Sequence, residues 1–248
     1  MENSEKNIDL SIIIPAYNVS KTIEIVLQRL SNVINSLNQS YEFIVVHDGS
    51  SDNTFEILNQ LKSKMNNLQV ISYAHNRGKG YAIKKGVLNS SGKNVMYIDG
   101  DLDISTKTIP SYLEELEQYD IVFASKKHPS SQINASTSRN FLSKCFSTVT
   151  KILTNLKFGD TQVGLKMGRG DVFREIFQIM TINEFAFDVE LLTIAQERNY
   201  KCKDMPIELD LSSSLPFMKR LILSFKMFRD VLKISYNLKW SKQYTLKS

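Results

Sequence analysis

The chain has 248 residues, 42% of them hydrophobic, and its 31 Lys and Arg against 26 Asp and Glu give a formal net charge of +5. That is enough apolar material for one domain of α/β size with its own core, and it excludes the sparse, highly charged composition of a disordered chain. The mild basicity points to an anionic partner such as a phosphate ligand or a membrane surface; with no interleaved basic–aromatic motif, nucleic acid is not indicated.

The elements follow in chain order. Leu10–Pro15 (LSIIIP) is a β-branched run stopped by proline, a buried strand, and Ser20 is positioned to cap a helix bearing Ile23, Val26, Leu27 and Leu30. Residues 41–46 (YEFIVV) form a second strand ending in the turn-rich HDGSSDNT, followed by a helix with Phe55, Ile57, Leu58 and Leu61. A third strand spans 69–73, a helix 79–88, and a fourth strand 95–98. Strands alternating with helices predict βαβ units and a parallel, doubly wound sheet, in which ligands bind outside the carboxyl ends of the strands. PAYN, HDGSSDNT, HNRGKG and DGDLD all follow strands and should gather along that one edge.

Further along, IVFAS reads as a strand and 139–156 as a Ser/Thr-rich helix. GDTQVGLK is a loop returning to the site, NEFAFDVELLTIAQ an amphipathic helix and KCKDMPIELD an edge strand. In the tail, Pro216 to Trp240, Leu221, Phe225, Phe228 and Leu232 form an apolar stripe while Lys219, Lys226 and Lys233 repeat on another side. Such a helix either lies in a membrane interface or packs on its own domain, and the sequence leaves both open. The division expected is a catalytic domain over 1–212 and a basic amphipathic tail over 213–248. Cys145 and Cys202 have neither metal-ligand nor disulfide spacing and read as buried free thiols. With no secretion signal at the polar start and no run near the roughly 18 apolar residues of a spanning helix, the expectation is a cytoplasmic protein, soluble or peripheral on a membrane.

Asp99, Asp101 and Asp103 alternate where the fourth strand leaves the core, so in an extended chain they would share one side. Clustered carboxylates repel unless a cation neutralises them, and oxygen ligands suit Mg²⁺ or Mn²⁺. Taken alone, DGDLD fits a solvated acidic turn as well. HNRGKG adds Arg77 and Lys79 around glycines at a helix start, where backbone N–H groups favour phosphate, and Asp48 follows the second strand, placed to contact a base or ribose. Together they describe a diphosphate pocket beside a metal site.

In these segments, SIIIPAYN, VVHDGSSDNT, HNRGKGYAIKKG and DGDLD in that order, the chain resembles the family 2 glycosyltransferases with the GT-A fold, a Rossmann-like, mostly parallel sheet flanked by helices. ASKK, SRNFLS, GDTQVGLK, FAFDVELL and KDMPIEL extend the likeness, over about residues 9–210, to the dolichyl- and polyprenyl-phosphate hexosyltransferases, both glucosyl and mannosyl. The resemblance implies that Pro15, Tyr17 and Asn18 line the nucleotide with Asp48 near its base, and that Asn76, Arg77, Gly78, Lys79 and Gly80 pass close to the donor. Asp99 and Asp101 match the metal-binding pair, with Asp103 close by. Lys126, Arg139 and Ser143 match positions for an acceptor phosphate, and Asp188 and Glu190 match the FDVE segment, as a base were the acceptor a hydroxyl. The activity implied is inverting, metal-dependent transfer of a hexose to polyprenyl phosphate, from UDP-glucose ahead of GDP-mannose. The alternatives are a hydroxyl acceptor on a saccharide or protein, or a nucleotide-sugar-binding membrane adaptor without turnover. His47 departs from the usual Asp, Lys126 from the usual Arg, and the Arg often found after the edge strand is missing from 210–214.

Overall fold

The computed structural model describes residues 8–134, 148–210, 217–241 and 243–244, with side chains on the last helix from residue 225 onward. Nine strands occur among them: β1 Leu10–Ala16, β2 Tyr41–Asp48, β3 Leu68–Tyr73, β4 Asn94–Ile98, β5 Ile121–Ala124, β6 Gln132–Asn134, β7 Leu165–Arg169, β8 Cys202–Met205 and β9 Glu208–Asp210. The helices are α1 Ile23–Asn35, α2 Thr54–Lys64, α3 Lys79–Leu88, α4 Ile109–Glu115, α5 at 148–154, α6 Gly170–Ile179, α7 Phe187–Glu197 and α8 Phe217–Lys239.

Seven strands make one sheet in the order β3-β2-β1-β4-β7-β5-β8, and β6 pairs with β9 in a second. β1 is apolar almost throughout because both faces of the sheet are covered, as parallel strands require. Its side chains alternate between two cores: Ile12 and Ile14 pack with Val26 and Leu30 of α1, and Ile13 packs with Ile83 of α3 and Phe173 of α6 on the other face.

The first four strands run parallel, as expected. β7 does not: it is antiparallel to both β4 and β5. The register sets Leu165 opposite Ile98, so the loop before β7 arrives beside the residue that follows β4, which is Asp99. One reversed strand thus delivers the 157–164 loop to the site.

The expected cap at Ser20 is not made. The helix begins at Ile23, the Ser20 backbone N–H donates to Asp52, and the Thr22 hydroxyl donates to the Gly100 carbonyl at 2.8 Å, tying α1 to the acidic loop. Cys202 is a half-buried free thiol whose pKa burial pushes up to about 12, while Cys145 lies outside the described residues. At the tail, Val231, Ile234 and Tyr244 join the core formed by α3, α6 and α7.

Candidate active site

The carboxyl ends of β1, β2 and β4 carry the candidate residues on loops that are stitched to one another. Asn18, at φ 54°, sends its backbone N–H to Ser50 Oγ and accepts the Ser51 N–H at 2.9 Å. Tyr17 beside it is half exposed, free to offer a face to a planar ligand, and Pro15, inside β1 rather than at its end, has its carbonyl close to Gly100. His47 is buried: its Nε2 accepts the Ser50 N–H, and its Nδ1, which must then carry the proton, donates to Ser72 Oγ at 2.9 Å. Burial pushes its pKa down, so the substituted histidine backs the turn as a neutral ring.

Asp48 is also buried, and its carboxylate accepts N–H bonds from Arg77 (2.7 Å), Gly78 (3.1 Å) and the Asn76 side chain (3.0 Å). It organises the HNRGKG loop. Gly78 sits at φ 98°, where a Cβ would lie 2.5 Å from the Asn183 carbonyl, so only glycine lets the loop pass this close to the 181–184 turn. Arg77 stacks over the Tyr81 and Tyr73 rings with its charge toward solvent.

The loop then starts α3, and Lys79 reaches across to Asp99, with Nζ 2.5 Å from Oδ1. Burial works against its charge, but Asp99 first and Asp188 second outweigh that and raise its pKa. The Asp99 N–H donates to the Gly164 carbonyl at 3.1 Å, and a Cβ on Gly164 would stand 1.9 Å from Asp99 Oδ2. Gly164 is therefore the floor of the Asp99 carboxylate. Gly164→Ala is expected to swing that carboxylate aside and leave the fold intact, because the obstructed group is the end of a side chain. Activity should fall roughly a hundredfold, the size of a lost preorganised group, with Tm nearly unchanged; a large drop in Tm would place the role of Gly164 in the fold.

Asp101 reaches solvent yet is crowded by its own loop: desolvation, then the charges of Asp99 and Asp103, raise its pKa to about 6. The expected convergence of three carboxylates is not found; among the described residues no group of three His, Cys, Asp or Glu is set to hold a metal. The strand ends at Ile98, so the alternation of extended chain is lost. Asp103 turns instead into a groove of about 800 Å³ with Arg29, Lys107 and Leu209. Asp99 and Asp101 remain as a pair. Two carboxylates whose repulsion the Lys79 ammonium offsets only in part fit a hard divalent cation that takes its other ligands from phosphate and water.

Asp188 and Glu190 are not presented as bases, because both are buried and bonded to partners inside the fold. Lys166 Nζ lies 2.6 Å from Asp188 Oδ1, which also accepts the Tyr97 hydroxyl at 2.5 Å, and the same ammonium donates to the Val163 carbonyl. Burial, the larger influence, pushes the Asp188 carboxyl up and the Lys166 ammonium down; their mutual attraction opposes both. Glu190 accepts the N–H groups of Thr181 and Ile182 and the Tyr244 hydroxyl, fixing the turn under Gly78 and Gly80. The two acidic residues of FDVE thus brace Lys79 and its loop from behind.

Lys126 lies on the far side of the 157–164 loop, its backbone N–H donating to Asp160 and its Nζ 3.7 Å from the same carboxylate. Arg139 and Ser143 lie outside the described residues, as do 211–214. Lys166, Tyr97 and Gly164 were not singled out from the sequence. A lysine inside an otherwise apolar strand was the available signal for Lys166; nothing local marks Gly164.

A mostly parallel sheet flanked by helices, with a carboxylate pair and a cationic glycine loop on one edge, defines the α/β class of this fold. The profile of the family described as Glycosyl transferase family 2 matches residues 11–177. The chain belongs to glycosyl transferase family 2. Among curated relatives, the Dolichyl-phosphate beta-glucosyltransferase of Dictyostelium discoideum is 32% identical, covering 95% of this chain and 76% of that protein. The protein of the same name in Mus musculus is 30% identical over 91% of this chain and 74% of its own length. Among solved structures, glucosyl-3-phosphoglycerate synthase from Mycobacterium tuberculosis, crystallised with Mn²⁺, UDP and glucosyl-3-phosphoglycerate, superposes with a TM-score of 0.69 over 92% of this chain and 80% of that one. At 16% identity that likeness establishes the fold.

Proposed function

We propose that the protein transfers glucose from UDP-glucose to a polyprenyl phosphate such as dolichyl phosphate, with inversion at the anomeric carbon. The observation that carries this reading is the meeting of the cationic loop and the acidic loop, Lys79 Nζ on Asp99 at 2.5 Å, in a chain whose curated relatives bear the glucosyltransferase name along nearly its full length. UDP-glucose is favoured over GDP-mannose by that name, and by UDP and UDP-glucose in the crystals of the fold neighbour.

Lys79 at the start of α3 receives the donor's diphosphate, with Arg77 at the rim. Asp99 and Asp101 would hold a Mg²⁺ or Mn²⁺ ion, which when bound offsets the negative charge that builds on the leaving diphosphate. An acceptor phosphate monoester, with a second pKa near ~6, is mostly ionised at neutral pH and needs little help from a base. Its oxygen attacks the anomeric carbon as the bond to the donor oxygen breaks, and the electron pair leaves with the nucleoside diphosphate. Lys126 and Arg139 supply the charge that brings one anion up to another, and the Ser143 hydroxyl is a further donor for the phosphate. A hydroxyl acceptor would need a free base, and burial of Asp188 and Glu190 counts against that reading.

Calorimetric titration with UDP-glucose and GDP-mannose, each with Mn²⁺, tests the donor. UDP-glucose should bind at least roughly tenfold more tightly, about 1.4 kcal/mol; equal or reversed affinities would overturn the donor assignment.

A further inference from the structure

We propose that α8 is a two-faced helix whose outward stripe is a docking surface for an anionic lipid bilayer, and whose inner face holds that surface against the site loops. This deepens the lipid-phosphate reading and rests on it for its purpose, although the geometry stands without it.

The inner face is fixed to the domain. Met227, Val231 and Ile234 are buried, and Asn237 donates to the Tyr244 hydroxyl, which in turn donates to Glu190. Ser235 donates to the Leu153 carbonyl at 2.8 Å. Three contacts reach the site loops: Gln162 Nε2 lies 3.8 Å from the Met227 sulfur, Lys233 Nζ reaches the Thr181 carbonyl at 3.4 Å, and Asn237 Nδ2 donates to the Thr181 hydroxyl at 3.3 Å. Gln162 belongs to the loop that floors Asp99, and Thr181 to the turn under Gly78.

The opposite face carries an apolar stripe that is widely exposed among the described residues. Phe225 is 69% exposed, Phe228 43%, Leu232 44%, Tyr236 61% and Trp240, one residue past the helix, 77%. At 100° per residue these five span an arc of about 120°, centred opposite Met227, Val231 and Ile234. The core described for this helix uses its inner stripe and leaves this second one to solvent.

Charge identifies the occupant. Residues 217–239 hold six Lys and Arg against one Asp, a formal +5, which equals the net charge of the whole chain; the remainder is neutral. On the same wheel the exposed Arg229 and Lys239 fall within the arc, among the apolar side chains, and exposed Lys226 lies outside it. Aromatic and leucine side chains flanked by cations are the composition of a helix lying in a headgroup layer, with Trp and Tyr at the boundary. No helix among the described residues is long and apolar enough to cross a membrane, so this face would bind at the surface.

Trp240 is the chain's one tryptophan and so reports on its own stripe. The test uses the full chain with vesicles of phosphatidylcholine alone or with about 30% phosphatidylserine. The wild-type protein should sediment with the anionic vesicles and shift Trp240 emission to the blue. The triple variant Phe225→Ser/Phe228→Ser/Leu232→Ser should bind at least roughly tenfold more weakly, with Tm and UDP-glucose binding unchanged because all three side chains are exposed. Lys226→Gln/Arg229→Gln should lose the preference for anionic vesicles. Undiminished sedimentation of the triple variant overturns the proposal. So does a wild-type protein that ignores both vesicles, or one that self-associates through the stripe. Transfer to polyprenyl phosphate in detergent separates the two readings: docking without transfer refutes the acceptor and keeps the surface, and transfer without docking does the reverse.

Discussion

Asp101→Asn is expected to lower glycosyl transfer by roughly two to three orders of magnitude, the scale at which lost charge stabilisation of a transition state registers, while making the folded protein slightly more heat-stable. The two effects have one cause. Asp101 is held in a crowded loop beside Asp99 and Asp103, and its pKa is raised to about 6. A carboxyl that binds its proton more tightly when folded than when unfolded costs stability once ionised. That cost is absent below the unfolded pKa, grows as pH rises toward about 6 and is constant above it. Asparagine removes the cost along with the ligand. The variant should therefore exceed wild type in Tm more at about pH 7.5 than at about pH 4.5, and Mn²⁺ should raise the Tm of wild type alone. Equal Tm profiles for the two proteins would show that the acidic loop carries no such strain.

Lys166→Met is expected to destabilise the protein by about 3–5 kcal/mol, because it strands the Asp188 carboxylate in the core with the Tyr97 hydroxyl as its remaining close donor. The double variant Lys166→Met/Asp188→Leu should recover most of that loss, since two packed apolar side chains replace a buried ion pair without leaving a lone charge. Function should not recover with it. Without Asp188, the Lys79 ammonium leans wholly on Asp99 and Asp101, and a metal must compete with it there. Denaturant unfolding reads the first effect; Mn²⁺ binding followed by electron paramagnetic resonance, without donor, reads the second. A double variant as unstable as the single one would mean that packing, not charge, gives Lys166 its place.

The first half of the fold is legible because β1, β2 and β4 are buried on both faces and helices alternate with the strands, so β1, β2, β3, α3 and β4 fall within two residues of the sequence reading. α6 escapes that reading although Val172, Phe173, Ile176 and Phe177 make a helical apolar face; it follows directly on β7, whose Met-Gly-Arg end carries no strand signature. The direction of β7 is not encoded locally at all. It follows from which neighbours the strand finds, and with it goes the placing of Gly164 under Asp99. Asp99, Lys79 and Asp48 were visible as chemistry at strand ends. The departure of Asp103 was not, because it depends on the chain bending at Gly100. The outer stripe of α8 was visible and the inner one was not: a helix apolar on two faces shows the eye only one period.

The most direct test of the central claim is transfer of radiolabelled glucose from UDP-glucose into polyprenyl phosphate, with Mn²⁺ or with EDTA, for the wild-type protein and Asp101→Asn. Label in the lipid phase that needs Mn²⁺, is lost in the variant and is released by mild acid as a β-linked glucosyl phosphate is the result the account predicts. Lipid label that persists in EDTA and in Asp101→Asn, or label that appears only on a soluble hydroxyl acceptor, would contradict it.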